Sequence, residues 1–286
     1  FHSLWCLGAQ RKGMVITMKK GIKKFGAFFI ATCIASTMVT SVSAESLSGN
    51  TEQHNLIEYF KSFDFSVCYE SETLGQDVKE DLKKVEVYIS QNENPSLQEL
   101  NGIIGKIEES NTPITRAAAA YDYSKYLPVS EGQLNSKEKQ IFNQNPAAGL
   151  IVLAQADYAN KSEKGVFGSN SWGTNGDAYR HALWNAMGAK GVGDSYMAAF
   201  ATAHETGSAG YNPNSIDTQM DLKNNAKGRE LLKSMKFPSR PPNGMTIPYI
   251  IRNEIAKAVA NGKMVRFVSG GKQYSYLMPT NSSSKN

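Results

Sequence analysis

Cysteine is nearly missing from the part of this chain that is expected to fold. The 286 residues hold three cysteines and four histidines, and beyond position 44 only Cys68, His54, His181 and His204 remain. One thiol excludes an internal disulfide, so stability must come from packing. Several catalytic signatures are missing as well. There is no zinc-peptidase His-Glu-x-x-His run, no Gly-x-Ser-x-Gly elbow and no phosphate-binding glycine loop. Cys68 lies far from the histidines in sequence, which gives a thiol enzyme no support.

A net charge of one sign is also lacking once the first segment is set aside. Residues 18–24 are a basic start, 25–39 a mostly apolar run, and Val42-Ser43-Ala44 offers small residues at a cleavage site. This is the pattern of a secretory signal peptide over Met18 to Ala44, with residues 1–17 as upstream sequence and export as the expected localisation. The apolar run is short for a membrane span of about 20 residues, so no transmembrane anchor is expected after cleavage. Of the 31 basic residues, Arg11, Lys12, Lys19, Lys20, Lys23 and Lys24 fall in this segment, leaving 25 against 26 acidic ones. The formal charge of +5 is thus carried by the leader, and no bulk binding to nucleic acid is expected.

What is present is helical patterning. Spaced apolar residues predict helices over 56–63, 75–92 and 96–110, with Ser96 as N-cap and Glu99 in a capping-box position. This N-terminal helical segment, 45–112, leads to a main helical domain over 113–278, and 279–286 is read as a disordered tail. Within the main domain, helices are expected over 114–126, 136–142, 147–160, 177–190, 194–205, 217–235 and 247–260. The stretch 147–160 is apolar nearly all round and should be a central buried helix, whereas 162–176 reads as a loop. Alternation over 264–268 and 273–277 around Ser-Gly-Gly-Lys predicts a β-hairpin. The fold class is therefore all-α, a multi-helix bundle with a small C-terminal β-hairpin.

Three helices carry the chemistry. From Asp177, the offsets that share a helical face give Arg180, His181, Trp184 and Asn185. The residue types are directional hydrogen-bonders rather than the Lys and Glu that fill a solvated face. Asp177 follows Gly176 and also suits an N-cap. The second helix ends in Ala203-His204-Glu205, and the third places Asp217, Asp221, Asn224, Asn225 and Gly228 on one stripe, with Arg229 beside it. Paired asparagines are poor helix formers, which suggests a tertiary use for Asn224 and Asn225.

Convergence of these helices would join His181, His204, Glu205 and Asp221 in a site for zinc, manganese or iron. Such an ion lowers the pKa of a bound water and generates a nucleophile. Arg180 would then suit a phosphate or carboxylate. Without an ion, His181 or His204 serves as general base, oriented by Asp177 or Asp221. The bland alternative is a buried polar network that fixes helix register and does no chemistry.

The residues from about 134 to 232 resemble an uncharacterised helical domain family of secreted bacterial proteins, also found at the ends of polymorphic toxins. The resemblance rests on Asn145-Pro146, then Asp177, Arg180, His181, Trp184 and Asn185, then Ala203-His204-Glu205, then Met220-Asp221-Leu222, Asn224, Asn225, Gly228 and Arg229. It implies a shared site without assigning an activity. A weaker similarity is to the His-Asp metal phosphohydrolases, whose ligand roles would fall to His181, His204-Glu205 and Asp221. Glu205 stands where that family has Asp, and the spacing to Asp221 is short. The leading expectation is a hydrolase acting on a phosphodiester or another envelope component. The alternatives are a non-catalytic extracellular binding module and an antibacterial toxin-type domain.

Overall fold

The computed structural model describes residues 50–108, 129–168, 172–207, 210–238 and 245–281. Ten helices precede a two-stranded antiparallel sheet among these residues, which is the expected all-α bundle with a C-terminal hairpin. The N-terminal helices are α1 (Asn50–Lys61), α2 (Ser66–Tyr69), α3 (Gln76–Gln91) and α4 (Leu97–Ile104). The helix expected over 114–126 lies outside the described residues. After a 3-10 turn at Glu131–Gln133 come α5 (Ser136–Gln144), α6 (Pro146–Phe167), α7 (Asn175–Val192), α8 (Asp194–Thr206), α9 (Ile216–Ser234) and α10 (Ile247–Ala260).

Helix α6 is the central apolar rod that the composition of 147–160 demands, since Leu150 to Leu153 and Ala156 are fully buried. It starts at Asn145, whose side chain accepts from the Ala148 N–H, with Pro146 in the first turn where no donor is needed. It ends later than expected. The stretch from Lys161 to Phe167 stays helical, and the chain leaves the helix at Gly168 with φ of 82°. The expected loop over 162–176 is thus corrected, because Lys161-Ser-Glu-Lys favours a helix until a residue that accepts left-handed backbone arrives. That additional turn brings Glu163 into the core, where it is fully buried. Helix α4 likewise stops at Gly105, with φ of 81°, short of the expected end at 110.

Helix α7 is buried on nearly every side and packs against α6, α8, α9 and α10. The closest approach is to α9. A Cβ on Gly228 would lie 2.1 Å from the Ala182 carbonyl oxygen, so only glycine lets the two backbones meet at this distance. The N-terminal helices share the same core through Leu56, Phe60, Val78, Leu82 and Leu100. Asp157 on α6 accepts hydrogen bonds from Ser71 (2.9 Å) and Thr73 and pairs with Lys161, tying the α2–α3 connection to the central helix.

The hairpin joins β1 (Val265–Ser269) to β2 (Lys272–Pro279) through Gly270 and Gly271, both at positive φ. Two such residues make the mirror-image turn that matches strand twist. Its first strand is held by one side chain of α9. The Asn224 amide accepts from Val265 N at 3.0 Å and donates to Val265 O at 2.9 Å, as a neighbouring strand would. Asn224→Ala should lower the free energy of unfolding by about 2 kcal/mol, since two hydrogen bonds go and the backbone groups they paired are left exposed to loss. Urea unfolding measures the loss, and faster hydrogen exchange at the Val265 amide locates it. An unchanged midpoint would show that the grip is dispensable.

Candidate functional site

Three ligand-bearing side chains converge where α7 meets α9. Single nitrogen or oxygen atoms of Asp177, His181 and Asp221 all lie within 4.8 Å of one another, and all three residues are buried. His181 Nε2 lies 3.4 Å from Asp177 Oδ1 and 3.4 Å from Asp221 Oδ1. Helical spacing accounts for the first contact, because Asp177 and His181 are one turn apart on α7. The second exists because Gly228 lets α9 come close enough to bring Asp221 to the same point.

Asp177 is not the N-cap that its position after Gly176 suggested. Thr174 caps α7, its hydroxyl accepting from Gly176 N at 3.2 Å. Asp177 lies one turn in, where Oδ2 accepts from Gly173 N at 2.7 Å and Oδ1 accepts from Arg180. Burial alone would push this carboxyl up, but the Arg180 guanidinium first, and then the Gly173 N–H, hold it below the usual range. Gly173 is in turn fixed by the hairpin: its carbonyl accepts from Phe267 N at 2.9 Å and Val268 N at 2.8 Å. Its φ of +72° excludes a side chain, and a Cβ there would sit 2.7 Å from the Phe267 ring.

Asp221 is the costly member. Its Oδ1 receives no hydrogen bond among the described residues and is buried against His181. Burial first, then the charges of Glu205, Asp177 and Asp217, raise its pKa well above the ordinary carboxylate value, with Arg180 offsetting part of the rise. Either a proton or a cation must answer that charge.

The remaining expected residues divide into three groups. Glu205, Asn225, Asn185 and Arg229 join the site on its outer side. Glu205 Oε1 lies 3.7 Å from His181 Nδ1 and accepts from Asn225 Nδ2 at 2.9 Å. Asn225 Oδ1 lies 3.3 Å from His181 Nδ1 and accepts from Asn185 Nδ2 at 2.7 Å, and Arg229 donates to Asn185 Oδ1. Arg180 and Asn224 are present but committed elsewhere. The Arg180 guanidinium is fully buried between Asp177 and Glu163, donating to Glu163 Oε2 at 3.1 Å, so it is not placed to take a phosphate or carboxylate ligand. Asn224 holds the hairpin.

His204 does not enter the expected ligand set with His181, Glu205 and Asp221. Its Nδ1 lies 2.7 Å from Glu138 Oε1, and its ring meets Trp184 edge-on at 5.4 Å between centroids. Glu138 also accepts from Asn135 N at 2.6 Å, closing the capping box that starts α5. A carboxylate already oriented by a cap outcompetes a more distant cluster for the imidazole, and Asp177 stands in its place beside His181 and Asp221. The ligand pattern of the His-Asp metal phosphohydrolases is therefore not formed. Glu163, Glu138 and Gly173 are the site-shaping residues that sequence spacing passed over. Gln155, Ser162 and Glu163 do fall on one face of α6, a polar stripe that becomes visible only if the helix is continued past residue 160.

A family model described as a domain of unknown function (DUF6973) matches residues 139–263. The match contains the whole Asp177–His181–Asp221 cluster and agrees with the expected resemblance to an uncharacterised domain family. No curated protein and no solved structure matches the chain. Glu138 and the hairpin contacts to Gly173 lie just outside the matched span.

Proposed function

We propose that this chain is an exported, metal-assisted hydrolase, with a divalent ion held by Asp177, His181 and Asp221. The observation that carries the reading is the convergence of those three ligand atoms within 4.8 Å. Zinc ligand atoms sit about 2.0–2.2 Å from the ion and so no more than about 4.4 Å apart. A small rotation of one carboxylate therefore closes the set. The two 3.4 Å separations already equal the edge of a tetrahedral site of that size. Two carboxylates and an imidazole suit zinc, manganese or iron. Such an ion would activate a water as nucleophile near neutral pH. Glu205 and Arg229 keep a little solvent contact, with side chains 9% and 15% exposed, so the substrate meets the site on their side. Arg229 is the cation on that side, part-exposed and shared with Asp194 at 3.3 Å and Asn185, and an anionic diester or a related envelope substrate would have to draw it from Asp194.

Metal analysis of the purified chain tests this. The wild type should retain one equivalent of zinc or manganese after desalting, and saturating ion should raise stability by about 2.7 kcal/mol at 100 times the Kd. Asp221→Asn should weaken binding at least about 100-fold while the helical signal persists.

A second reading is favoured by the burial of Asp177, Arg180 and Asn185: the cluster is a lock that sets the register of α7 on α9. It makes the opposite forecast for the same variant. With no ion to bind, Asp221→Asn removes a strained buried acid and leaves stability equal or higher. Absence of ion uptake together with a stabilised variant would establish the lock and remove the hydrolase.

A further inference from the structure

The outer half of the site is a chain of hydrogen bonds whose direction is fixed at both ends. Arg229 can only donate, so the Asn185 atom it touches is the acceptor Oδ1. Asn185 must then present its NH2 group, which donates to the His181 carbonyl at 3.1 Å and to Asn225 at 2.7 Å. At the far end Glu205 accepts from the Asn225 NH2 group at 2.9 Å. Both ends therefore leave Asn225 Oδ1 facing Asn185 and His181. The two groups beside His181 Nδ1, Asn225 Oδ1 at 3.3 Å and Glu205 Oε1 at 3.7 Å, are acceptors.

We infer that Asn225 is a positioning residue that fixes His181 in the tautomer carrying its proton on Nδ1, so that a bare Nε2 lone pair faces Asp177 and Asp221. Arg180 enforces the same choice from the other side, because its Nη2 donor group lies 3.3 Å from Nε2 and would clash with a second hydrogen there. A histidine that ligates a metal through one nitrogen usually donates its other N–H to an oriented oxygen, and the Arg229–Asn185–Asn225–Glu205 chain supplies that oxygen. This explains why two asparagines occur together on a helix: one holds the hairpin and the other orients the imidazole. The positioning role rests on the cation reading, whereas the tautomer itself follows from contacts made without any ion.

Nitrogen-15 NMR of the full chain, prepared free of metal at neutral pH, reads the tautomer directly. The His181 ring, assigned by loss of its signals in His181→Asn, should show a protonated Nδ1 and an unprotonated Nε2. Asn225→Ala should lose this preference, and Asn225→Asp, which keeps the acceptor, should restore it. A wild-type ring protonated at Nε2, or at both nitrogens, overturns the inference, and so does a folded Asn225→Ala variant that keeps the Nδ1–H form. If the alanine variant does not fold, the wild-type spectrum alone still decides. Zinc is then added to the same sample. An Nε2 resonance that does not move sinks the cation reading and leaves the tautomer standing.

Discussion

Replacing Arg180 by methionine should cost about 3–5 kcal/mol of stability, the range for breaking a buried ion pair by removing one partner. Domains of this kind are stable by about 5–15 kcal/mol, so the variant should lie near the edge of folding. The cause is the pair of acids left behind. Glu163 and Asp177 are both fully buried, and Arg180 is the cation that each touches. Methionine fills much of the space but takes the guanidinium away from both carboxylates, beside an Asp221 that is already strained by burial. Urea unfolding followed through the buried Trp184 is the measurement. A triple variant, Arg180→Met with Glu163→Gln and Asp177→Asn, should recover part of the loss, because the charges go together. A loss below about 1 kcal/mol in the single variant would contradict the assignment of Arg180 as the internal countercharge.

Gly228→Ala should be nearly as harmful, by about 3 kcal/mol, at the upper end of what overpacking does. The added carbon would sit 2.1 Å from the Ala182 carbonyl oxygen, and backbone cannot swing aside as a flexible side chain can. This loss runs against local preference, since alanine is favoured over glycine inside a helix by about 1 kcal/mol. Gly102 supplies the contrast. It lies within α4 with nothing within 4 Å of an added Cβ, so Gly102→Ala should stabilise the chain by about 0.5–1 kcal/mol. Opposite signs from one chemical change would show that the α7–α9 contact, rather than helix propensity, sets the outcome at 228. Separation of these helices should also lengthen the His181–Asp221 approach and weaken any ion bound between them.

Local pattern made much of this architecture legible. The bounds expected for α10 coincide with the observed Ile247–Ala260, and α8 and α9 agree to within a residue at each end. The reason is that amphipathic spacing and capping residues act over a few positions and leave their mark on the chain itself. The joining of His181 with Asp221 was also legible, because unusual residue types shared one stripe on each helix. His204 shows where that logic fails. Its neighbours on α8 do not reveal that Glu138, which lies 66 positions earlier, will be turned toward it by the Asn135 cap. Glu163 was hidden by a helix that continued beyond its apolar stretch, and with it the fate of Arg180. Asn224 and Asn225 look alike in sequence; their division of labour is decided by which backbone happens to pass on either side of α9.

The pairing of Asn281 with Asn175 has a practical consequence. Asn175 Nδ2 donates to the Asn281 side chain at 2.8 Å, and Thr280 Oγ1 donates to the Val259 carbonyl at 2.7 Å. Asn281 is thus sewn to the first turn of the helix that bears Asp177. A cut in the chain just before Asn281 would disturb the start of that helix without removing a single core side chain, so the centre leans on a contact that its burial pattern does not reveal.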